Sequence, residues 1–365
     1  MKNFKKEYLQ LKKFAFFLPQ FHEIPENDEW WGKGFTEWTN VRNARPLFHD
    51  HQQPKHPLNN NYYNLLDKKT VEWQTKLMNK YNLDGFIYYH YYFTGRLLLE
   101  KPAENLLRWK DIPQHFFFCW ANHTWNRSWE GKTTVLLKQT YGTKKDWEKH
   151  FQYLLPFFRD SRYEKRNNKP LMMVFDPNFK EKNQLFSYFD KRCKEEGFNG
   201  LCLIETYNGI EPLHQFEANE TPVTEFTFYR EPSVSQLKYT HANFIRRVFH
   251  HYNKKMREKG ILHKPYIMDG NKLMDMKLNN EPLGSHVANG LWFEWDNTPR
   301  HKQRGYVITP YDHLKFIQYM DLIKNQEYLF INAWNEWAEG MIMEPTEENH
   351  YKYLEWIKKW NEQNN

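Results

Sequence analysis

The sequence has few cysteines and few long apolar runs. Its three cysteines, Cys119, Cys193 and Cys202, follow no spacing pattern, which predicts reduced, buried thiols and a cytoplasmic protein. The initial segment MKNFKKEYLQLKK carries charges but no apolar core, so we expect no signal peptide. No run of about 18 apolar residues occurs, so we expect no membrane span.

Neither charge nor composition indicates nucleic-acid binding or disorder. The net charge is +7, but basic and acidic residues alternate along most of the chain. Because no single basic tail is present, we expect no nucleic-acid partner. Hydrophobic residues make up 40% and aromatic residues 18% of the sequence, enough for a sizeable core. A length of 365 residues suits one large barrel or two medium domains.

Several short enzyme motifs are also missing. The chain contains no GxSxG, HExxH or Walker-type motif and no DxD-like pair suited to a metal-bound nucleotide sugar. The first apolar run is followed by QFHEIPENDEWWGKGF instead of a glycine-rich phosphate-binding turn, which argues against an open nucleotide-binding sheet. His49, His51 and His56 lie in a proline-containing loop, where histidines are more often solvated than bound to metal. We therefore expect no metal ion and no other cofactor.

The chain does contain eight short apolar runs, each followed by a polar, aromatic-rich loop. The runs are FAFFLP (14–19), GFIYYH (85–90), HFFFCW (115–120), LMMVFD (171–176), LCLIET (201–206), PVTEFTF (222–228), GLWFEW (290–295) and YLFINAW (328–334). Most lack strict alternation, as is typical of strands buried on both faces. Apolar residues at helical spacing occur between several of these runs. The pattern predicts an α/β protein, a single-domain (β/α)8 TIM barrel over residues 1–365 with long loops at its C-terminal face and a helical insertion at about 233–289.

Active sites of such barrels lie at the C-terminal ends of the strands, and here these ends are rich in tryptophan. Ten of the fifteen tryptophans fall at these strand ends or in the loops that follow them: Trp30, Trp31, Trp38, Trp120, Trp125, Trp129, Trp292, Trp295, Trp334 and Trp337. Indole rings match the apolar face of a pyranose, while Asn, Asp, Glu and His bind its hydroxyls. The alternative is that the rings fill the top of the barrel. We favour a glycan site.

The predicted substrate contacts combine these rings with polar residues near the strand ends. They are His22, Trp38, His90, Tyr92, Trp120, Asn122, Trp125, Glu205, Glu225, Trp295, Asp296, Trp334, Asn335 and Trp337. We expect at least three of the six rings in this set to line one cleft with His90, Glu205, Glu225 and Asp296.

Glu336 and Glu339 are the predicted catalytic pair. Glycoside cleavage needs one carboxyl that donates a proton and a second that acts as base or nucleophile. An aromatic surround raises the pKa of the acid, and a helical turn after the last strand would point both side chains into one cavity. The alternative is that one carboxylate caps a helix and the other binds Arg127 or Arg300.

Five longer segments resemble the WbsX-type proteins of polysaccharide biosynthesis loci, within the glycoside hydrolase family 99-like superfamily. They are LPQFHEIPENDEWWGKGFTEWTNV, YYHYYFTGRLLLEKP, FCWANHTW, WDNTPR and NAWNEWAEG followed by EP, in the same order between about residues 14 and 357. The resemblance implies a (β/α)8 barrel that acts on a glycan.

The resemblance also implies roles for the two glutamates. The hydrolases of that family are endo-acting α-mannosidases and α-mannanases that retain anomeric configuration, with the strand-8 motif N-E-W-H-E-G. By resemblance, Glu336 deprotonates the 2-hydroxyl of the sugar to give a 1,2-anhydro sugar, and Glu339 is the general acid and then the base. This sequence departs from the motif at Ala338, where the hydrolases have His.

These observations predict a carbohydrate-active enzyme. The expected activity is that of a retaining glycoside hydrolase or transglycosidase, related to endo-mannosidases, with an oligosaccharide or polysaccharide substrate: a bacterial surface polysaccharide of the O-antigen or capsule type, or its lipid-linked precursor. The alternatives are a glycosyltransferase of lipopolysaccharide or capsule biosynthesis and a glycan-binding barrel without catalysis.

Overall fold

The computed structural model describes residues 10–127, 134–209 and 223–364, and its central element is an eight-stranded parallel barrel. The strands are β1 (Lys12–Phe17), β2 (Gly85–Phe93), β3 (Phe116–Trp120), β4 (Lys169–Val174), β5 (Cys202–Tyr207), β6 (Thr224–Tyr229), β7 (Val287–Trp292) and β8 (Tyr328–Asn332). Each strand pairs in parallel with its neighbours in sequence, and β1 pairs with both β2 and β8. The predicted TIM barrel, with all eight of its strands, is confirmed.

Helices surround the barrel and form its connections. Those in the described residues are α1 (Pro25–Trp31), α2 (Glu37–Asn43), α3 (Lys68–Lys80), α4 (Lys101–Arg108), α5 (Lys144–Arg159), α6 (Lys182–Glu195), α7 (Ser233–Thr240), α8 (Phe244–Glu258), α9 (Gly270–Asn280), α10 (Thr298–His301), α11 (His313–Ile323) and α12 (Lys352–Asn364). Single 3-10 turns span Leu58–Asn60, Lys302–Arg304 and Trp337–Glu339. Short strands outside the barrel span Arg96–Leu98, Trp125–Asn126, Val135–Leu137, Lys165–Arg166, Tyr266–Met268, Trp295–Asp296, Tyr306–Ile308, Asn335–Glu336 and Met341–Ile342. No helix in this part of the chain is both long and apolar enough to cross a bilayer.

Phenylalanine rings fill the barrel interior. Phe117 of β3 lies with its ring centroid 5.2 Å from that of Phe14 and 5.6 Å from that of Phe330, and Phe228 lies 5.3 Å from Phe330. These rings come from β1, β3, β6 and β8, so they meet across the barrel. Side chains on the outer face of the strands are buried beneath the helices. Both faces are therefore apolar, which explains why the strand sequences do not alternate.

The three cysteine thiols are buried and form no disulfide, as predicted. Residues 233–289 contain α7, α8, a short strand and α9. That this segment is an insertion within a single domain stays a prediction.

Candidate active site

A cavity of about 440 Å³ opens at the C-terminal ends of the barrel strands, within the range of pockets that bind small ligands. Its described lining residues are Leu18, Gln20, Trp31, Tyr89, Tyr91, Ala121, His123, Thr124, Trp125, Asn126, Leu136, Phe175, Arg230, Arg300, His301, Glu336 and Glu339. The rings of Tyr89 and Phe228 each lie within 5.5 Å of Phe16 inside the barrel. The floor of the cavity is thus the uppermost layer of the aromatic core.

A tight turn after β8 points both predicted catalytic carboxyls into this cavity. Glu336 ends a short strand, and Trp337–Glu339 form a single 3-10 turn. Gly340 ends the turn with φ of +63°, and a Cβ there would lie 2.9 Å from the backbone nitrogen of Asp296, so this position favours glycine. The turn brings the two carboxyls together, as the three-residue spacing predicted.

Asn335 fixes this turn against the first strand. Its Oδ1 accepts a hydrogen bond from the Leu18 backbone nitrogen at 2.7 Å, and its Nδ2 donates to the Leu18 carbonyl at 3.1 Å. The side chain is fully buried and closes the seam between β1 and β8 at the cavity floor. Asn335 therefore positions its neighbour Glu336 and does not reach the cavity itself.

Arg300 of α10 connects three carboxyls. Its Nε donates to Glu37 Oε1 at 2.9 Å, its Nη1 forms an ion pair with Glu339, and its Nη2 lies 3.4 Å from Glu336 Oε2. A contact with Arg300 was part of the alternative to catalysis in the prediction from sequence. The structure contains both the arginine contact and the shared cavity, and the two are compatible because a catalytic carboxylate also needs to be held in place.

The two glutamates carry opposite pKa shifts. Burial raises the pKa of Glu336 to about 8, and the charge of Glu339 adds to this effect. Burial acts on Glu339 in the same direction, but the charges of Arg300, Arg230 and His301 outweigh it and lower the pKa of Glu339. Glu339 also accepts a hydrogen bond from Trp295 Nε1 at 3.3 Å. Of the two carboxyls, Glu336 is therefore the one that holds a proton near neutral pH.

Four of the six predicted sugar-binding rings belong to the core, so the expectation that at least three would line one cleft was wrong. Trp38, Trp120, Trp334 and Trp337 are at most 5% exposed. Trp337 donates its Nε1 hydrogen to Glu344 at 2.7 Å, away from the cavity. All four rings are buried, but they do not all fill the top of the barrel, as the alternative supposed. Trp120 packs against His150 of α5 and Trp334 against Phe86, on the outer face of the strands. Trp129 lies outside the described residues.

Two predicted rings remain at the site. The ring of Trp125 lines the cavity. Trp295 is half-buried, stacks on Tyr306 with an interplanar angle of 3°, and donates to Glu339. Trp31, which was among the loop tryptophans but not among the predicted contacts, also lines the cavity.

Most of the predicted polar contacts do not line the cavity. Glu225 lies near the start of β6 and pairs with Arg166 and Lys169 at the opposite end of the barrel. Asp296 is buried and accepts hydrogen bonds from Gln53 and Thr298. The structure corrects both placements: Glu225 is the second residue of β6, at the N-terminal end of the strand, and the carboxylate of Asp296 is taken up by Gln53 and by Thr298 of α10.

The other predicted polar residues are likewise engaged elsewhere. Glu205 pairs with Lys182, and Asn122 bonds to the backbone of Asp176. His90 and Tyr92 contact His150 of α5 on the outer face of β2, and His22 is buried. The structure does not support these residues as direct substrate contacts.

Some residues of the site were not predicted. Arg230 follows β6 and lines the cavity with its guanidinium 4.7 Å above the Phe175 ring. Glu344 lies beneath the turn and accepts hydrogen bonds from Tyr63, Gln74 and Trp337; burial raises its pKa to about 7. Glu344 stands in the EP segment that carried part of the family resemblance, which is the one signal that pointed to it.

The histidines considered as metal ligands bind separate carboxylates. His49 pairs with Asp50, His51 with Asp296, and His56 with Glu348. Among the residues that the structure describes, no three His, Cys, Asp or Glu side chains are grouped closely enough to hold a metal ion.

Solved structures with a similar fold include glycan hydrolases. The GH99 endo-alpha-mannosidase from Bacteroides thetaiotaomicron superposes with a TM-score of 0.53 over 96% of both chains, at 12% sequence identity. A glycoside hydrolase-like protein superposes with a TM-score of 0.57 over 97% of this chain and 94% of its own, at 10% identity. At these identities the similarity shows a shared fold.

Sequence comparison places the chain in a family. The protein WxcX of Xanthomonas campestris pv. campestris (strain B100) is 31% identical over 359 residues, which cover 93% of this chain and 48% of WxcX. The chain thus spans about half the length of the curated relatives it matches. The family model described as glycosyltransferase WbsX matches residues 13–357. With this match over nearly the whole length, the chain belongs to the WbsX family.

Proposed function

We propose that the protein is a retaining glycoside hydrolase or transglycosidase. Its substrate would be a bacterial surface polysaccharide of the O-antigen or capsule type, or the precursor of one, in the cytoplasm. The observation that carries this proposal is the pair Glu336 and Glu339, which share one cavity and have pKa values shifted in opposite directions. Family membership and the fold shared with glycan hydrolases support it.

The cavity has the chemical character of a sugar site. Aromatic side chains of Trp31, Trp125, Tyr89, Tyr91 and Phe175 contribute to its walls. Such rings bind the apolar face of a sugar. Amide and imidazole groups lie beside them and can bond to hydroxyls, as Gln20, His123 and Asn126 line the same cavity.

The pair needs one proton for the proposed chemistry. A proton on Glu339 would pass to the departing glycosidic oxygen, while ionised Glu336 would accept the proton of the 2-hydroxyl. The pKa shifts of the free protein favour the proton on Glu336 instead. Substrate would reverse this, because a hydroxyl donating to Glu336 favours its charged form, and an ether oxygen beside Glu339 can accept only from its protonated form. The total charge of the pair does not change.

Aryl glycosides with good and poor leaving groups test these roles. General acid–base catalysis is worth roughly 10²–10⁴ in rate, so Glu336→Gln and Glu339→Gln should each lose at least that on an unactivated glycoside. A nitrophenolate leaves without a proton, so Glu339→Gln should still release it in a first burst, whereas Glu336→Gln should not. The opposite pattern would exchange the roles.

Glu225→Gln is the matched control, because it makes the same change at the far end of the barrel. It should behave as wild type on every substrate. If both cavity variants also kept full activity, the pair would take no part in the chemistry and the proposal would fail.

The family description supports a second candidate, a glycosyltransferase. A transferase that uses a nucleotide sugar should bind it measurably by calorimetry, and neither Glu variant would need to respond to the leaving group of an aryl glycoside. A barrel that only binds glycans would give unchanged oligosaccharide affinity and no turnover in wild type and variants alike.

A further inference from the structure

Helix α8 exposes its apolar face to solvent. Ile245, Val248, Phe249 and Tyr252 are 78%, 50%, 61% and 58% exposed, and Phe244 at the helix start is 70% exposed. Ile245, Val248, Phe249 and Tyr252 recur at intervals of three and four residues, which places them on one side of the helix. They form the largest group of exposed apolar side chains in the described residues, and we call them the α8 stripe.

The side of α8 that contacts the rest of the protein is its polar side. The His250 ring centroid lies 4.9 Å from that of Tyr266 and 5.9 Å from that of Tyr306. Arg257 donates from Nε to the Lys264 carbonyl at 2.8 Å. A surface helix of a soluble domain normally buries its apolar side and exposes its polar one. The reverse arrangement leaves the α8 stripe exposed among the described residues and suits it to contact with a partner.

The charges of α8 identify the kind of partner. Residues 244–259 contain six Lys or Arg and one acidic residue, Glu258. Lys254, Lys255 and Lys259 are exposed, as are Arg246 and Arg247. This strong positive charge disfavours a second copy of the helix, because two such surfaces would repel each other. It favours a partner that is both negatively charged and able to take up apolar rings.

We propose that α8 docks the protein onto an anionic phospholipid surface. A basic helix with aromatic and aliphatic side chains on one face lies in the plane of a membrane interface, with that face among the acyl chains and its cations at the headgroups. The 15 residues of α8 need no further folding for this contact, because the helix is already formed and its apolar side already points outwards.

Docking through α8 would place the cavity close to the lipid surface. The Tyr306 ring, which His250 contacts, stacks on Trp295, and Trp295 donates a hydrogen bond to Glu339. The helix therefore lies on the same end of the barrel as the cavity. If the proposed function holds, a membrane-docked protein would meet a lipid-linked glycan at this end; the docking itself is independent of catalysis.

Sedimentation with lipid vesicles tests the docking without any glycan. Wild type should bind vesicles that contain phosphatidylglycerol and should bind pure phosphatidylcholine much more weakly. Binding should fall steeply with added salt, which screens the headgroup charges. Replacing Lys254 and Lys255 together with alanine should weaken binding by roughly 25-fold, at about fivefold for each cation.

The apolar contribution needs its own variant and control. Phe249→Asp should weaken vesicle binding by about tenfold or more, because a buried phenyl ring is lost. Leu314→Asp on α11 is the matched control, since Leu314 is 64% exposed and outside α8; it should bind as wild type does. All of these side chains are exposed, so each variant should unfold at the wild-type temperature.

Three results would overturn the docking proposal. They are equal binding to neutral and anionic vesicles, no effect of Phe249→Asp, and an effect of Leu314→Asp as large as that of Phe249→Asp. Self-association that sedimentation velocity detects and that Phe249→Asp abolishes, without vesicle binding, would assign the α8 stripe to a dimer instead. The two proposals are tested separately. Absence of vesicle binding would not affect the test of the Glu pair, and failure of the Glu pair in that test would not affect the vesicle experiment.

Discussion

Glu336→Gln should stabilise the protein, and the gain should grow as pH rises. The folded state keeps the Glu336 carboxyl protonated up to about pH 8, whereas an unfolded chain ionises it near the ordinary value of 4.5. The folded state therefore binds one more proton than the unfolded state between these two values. By linkage, stability falls as pH rises through this window. Glutamine has the shape of the protonated carboxyl but does not titrate, so the variant escapes that loss.

The magnitude follows from the two pKa values. One pKa unit corresponds to about 1.4 kcal/mol, so a rise from 4.5 to about 8 corresponds to about 5 kcal/mol across the whole window. By neutral pH the folded state has lost about 3 kcal/mol of this stability. These are upper values, because Arg300 Nη2 lies 3.4 Å from Glu336 and can move closer when the carboxyl ionises. Even half of this is large against a total stability of about 5–15 kcal/mol.

Urea unfolding of wild type and variant at several values between about pH 5 and about pH 9 measures the difference directly. Glu339→Gln is the internal control and should destabilise, since it loses the ion pair with Arg300 and the hydrogen bond from Trp295. Its lowered pKa contributes stability above the ordinary value that disappears as pH falls, the reverse of Glu336. A Glu336→Gln difference that is constant with pH, or that has the sign of Glu339→Gln, would refute a proton on Glu336.

Three further outcomes are expected. The kcat/KM profile should be bell-shaped, with an alkaline limb near pH 8 where the pair loses its only proton; a profile flat to well above pH 8 would contradict this. Arg230→Met should move that limb upwards, because the charge of Arg230 lowers the pKa of Glu336, and an unmoved limb would show that Arg230 is too distant to matter. Trp125→Ala should raise KM with little change in urea midpoint, whereas Trp337→Ala should lower the unfolding free energy by about 3–5 kcal/mol; equal effects on stability would contradict their different burial.

The barrel could be predicted from sequence because most of its strands are nearly continuous apolar runs between polar loops. A strand buried on both faces needs apolar residues at every position, and eight such runs with helical spacing between them fit few other folds. That Glu336 and Glu339 share one cavity could be predicted, because their position depends on the end of β8 and the direction of one turn; their catalytic role stays a prediction.

The walls of the cavity could not be predicted, because they depend on which face of a strand each side chain occupies. Side chains alternate along a strand, and in β2 Tyr89 and Tyr91 line the cavity, while His90 and Tyr92 contact α5. His90 and Tyr92 were the predicted substrate contacts. When a strand is apolar on both faces, its sequence does not show which residues point into the barrel. The inward-facing residues of β2 could therefore not be identified from sequence. Trp337 shows the same problem in a turn, since it separates the two glutamates but points away from them.

The pairing of β1 with β8 has a consequence for how the protein forms during synthesis. Lys12 pairs with Tyr328, and Asn335 bonds to Leu18 across 317 positions of the chain. Until residues near 335 have left the ribosome, β1 has an unpaired edge, and such edges of apolar strands invite association with other chains. Contacts of this range also make folding slow. We therefore expect the nascent barrel to depend on chaperones until β8 has been synthesised. Pairing of β8 with β1 closes the barrel and, in the same step, brings Glu336 and Glu339 to the cavity.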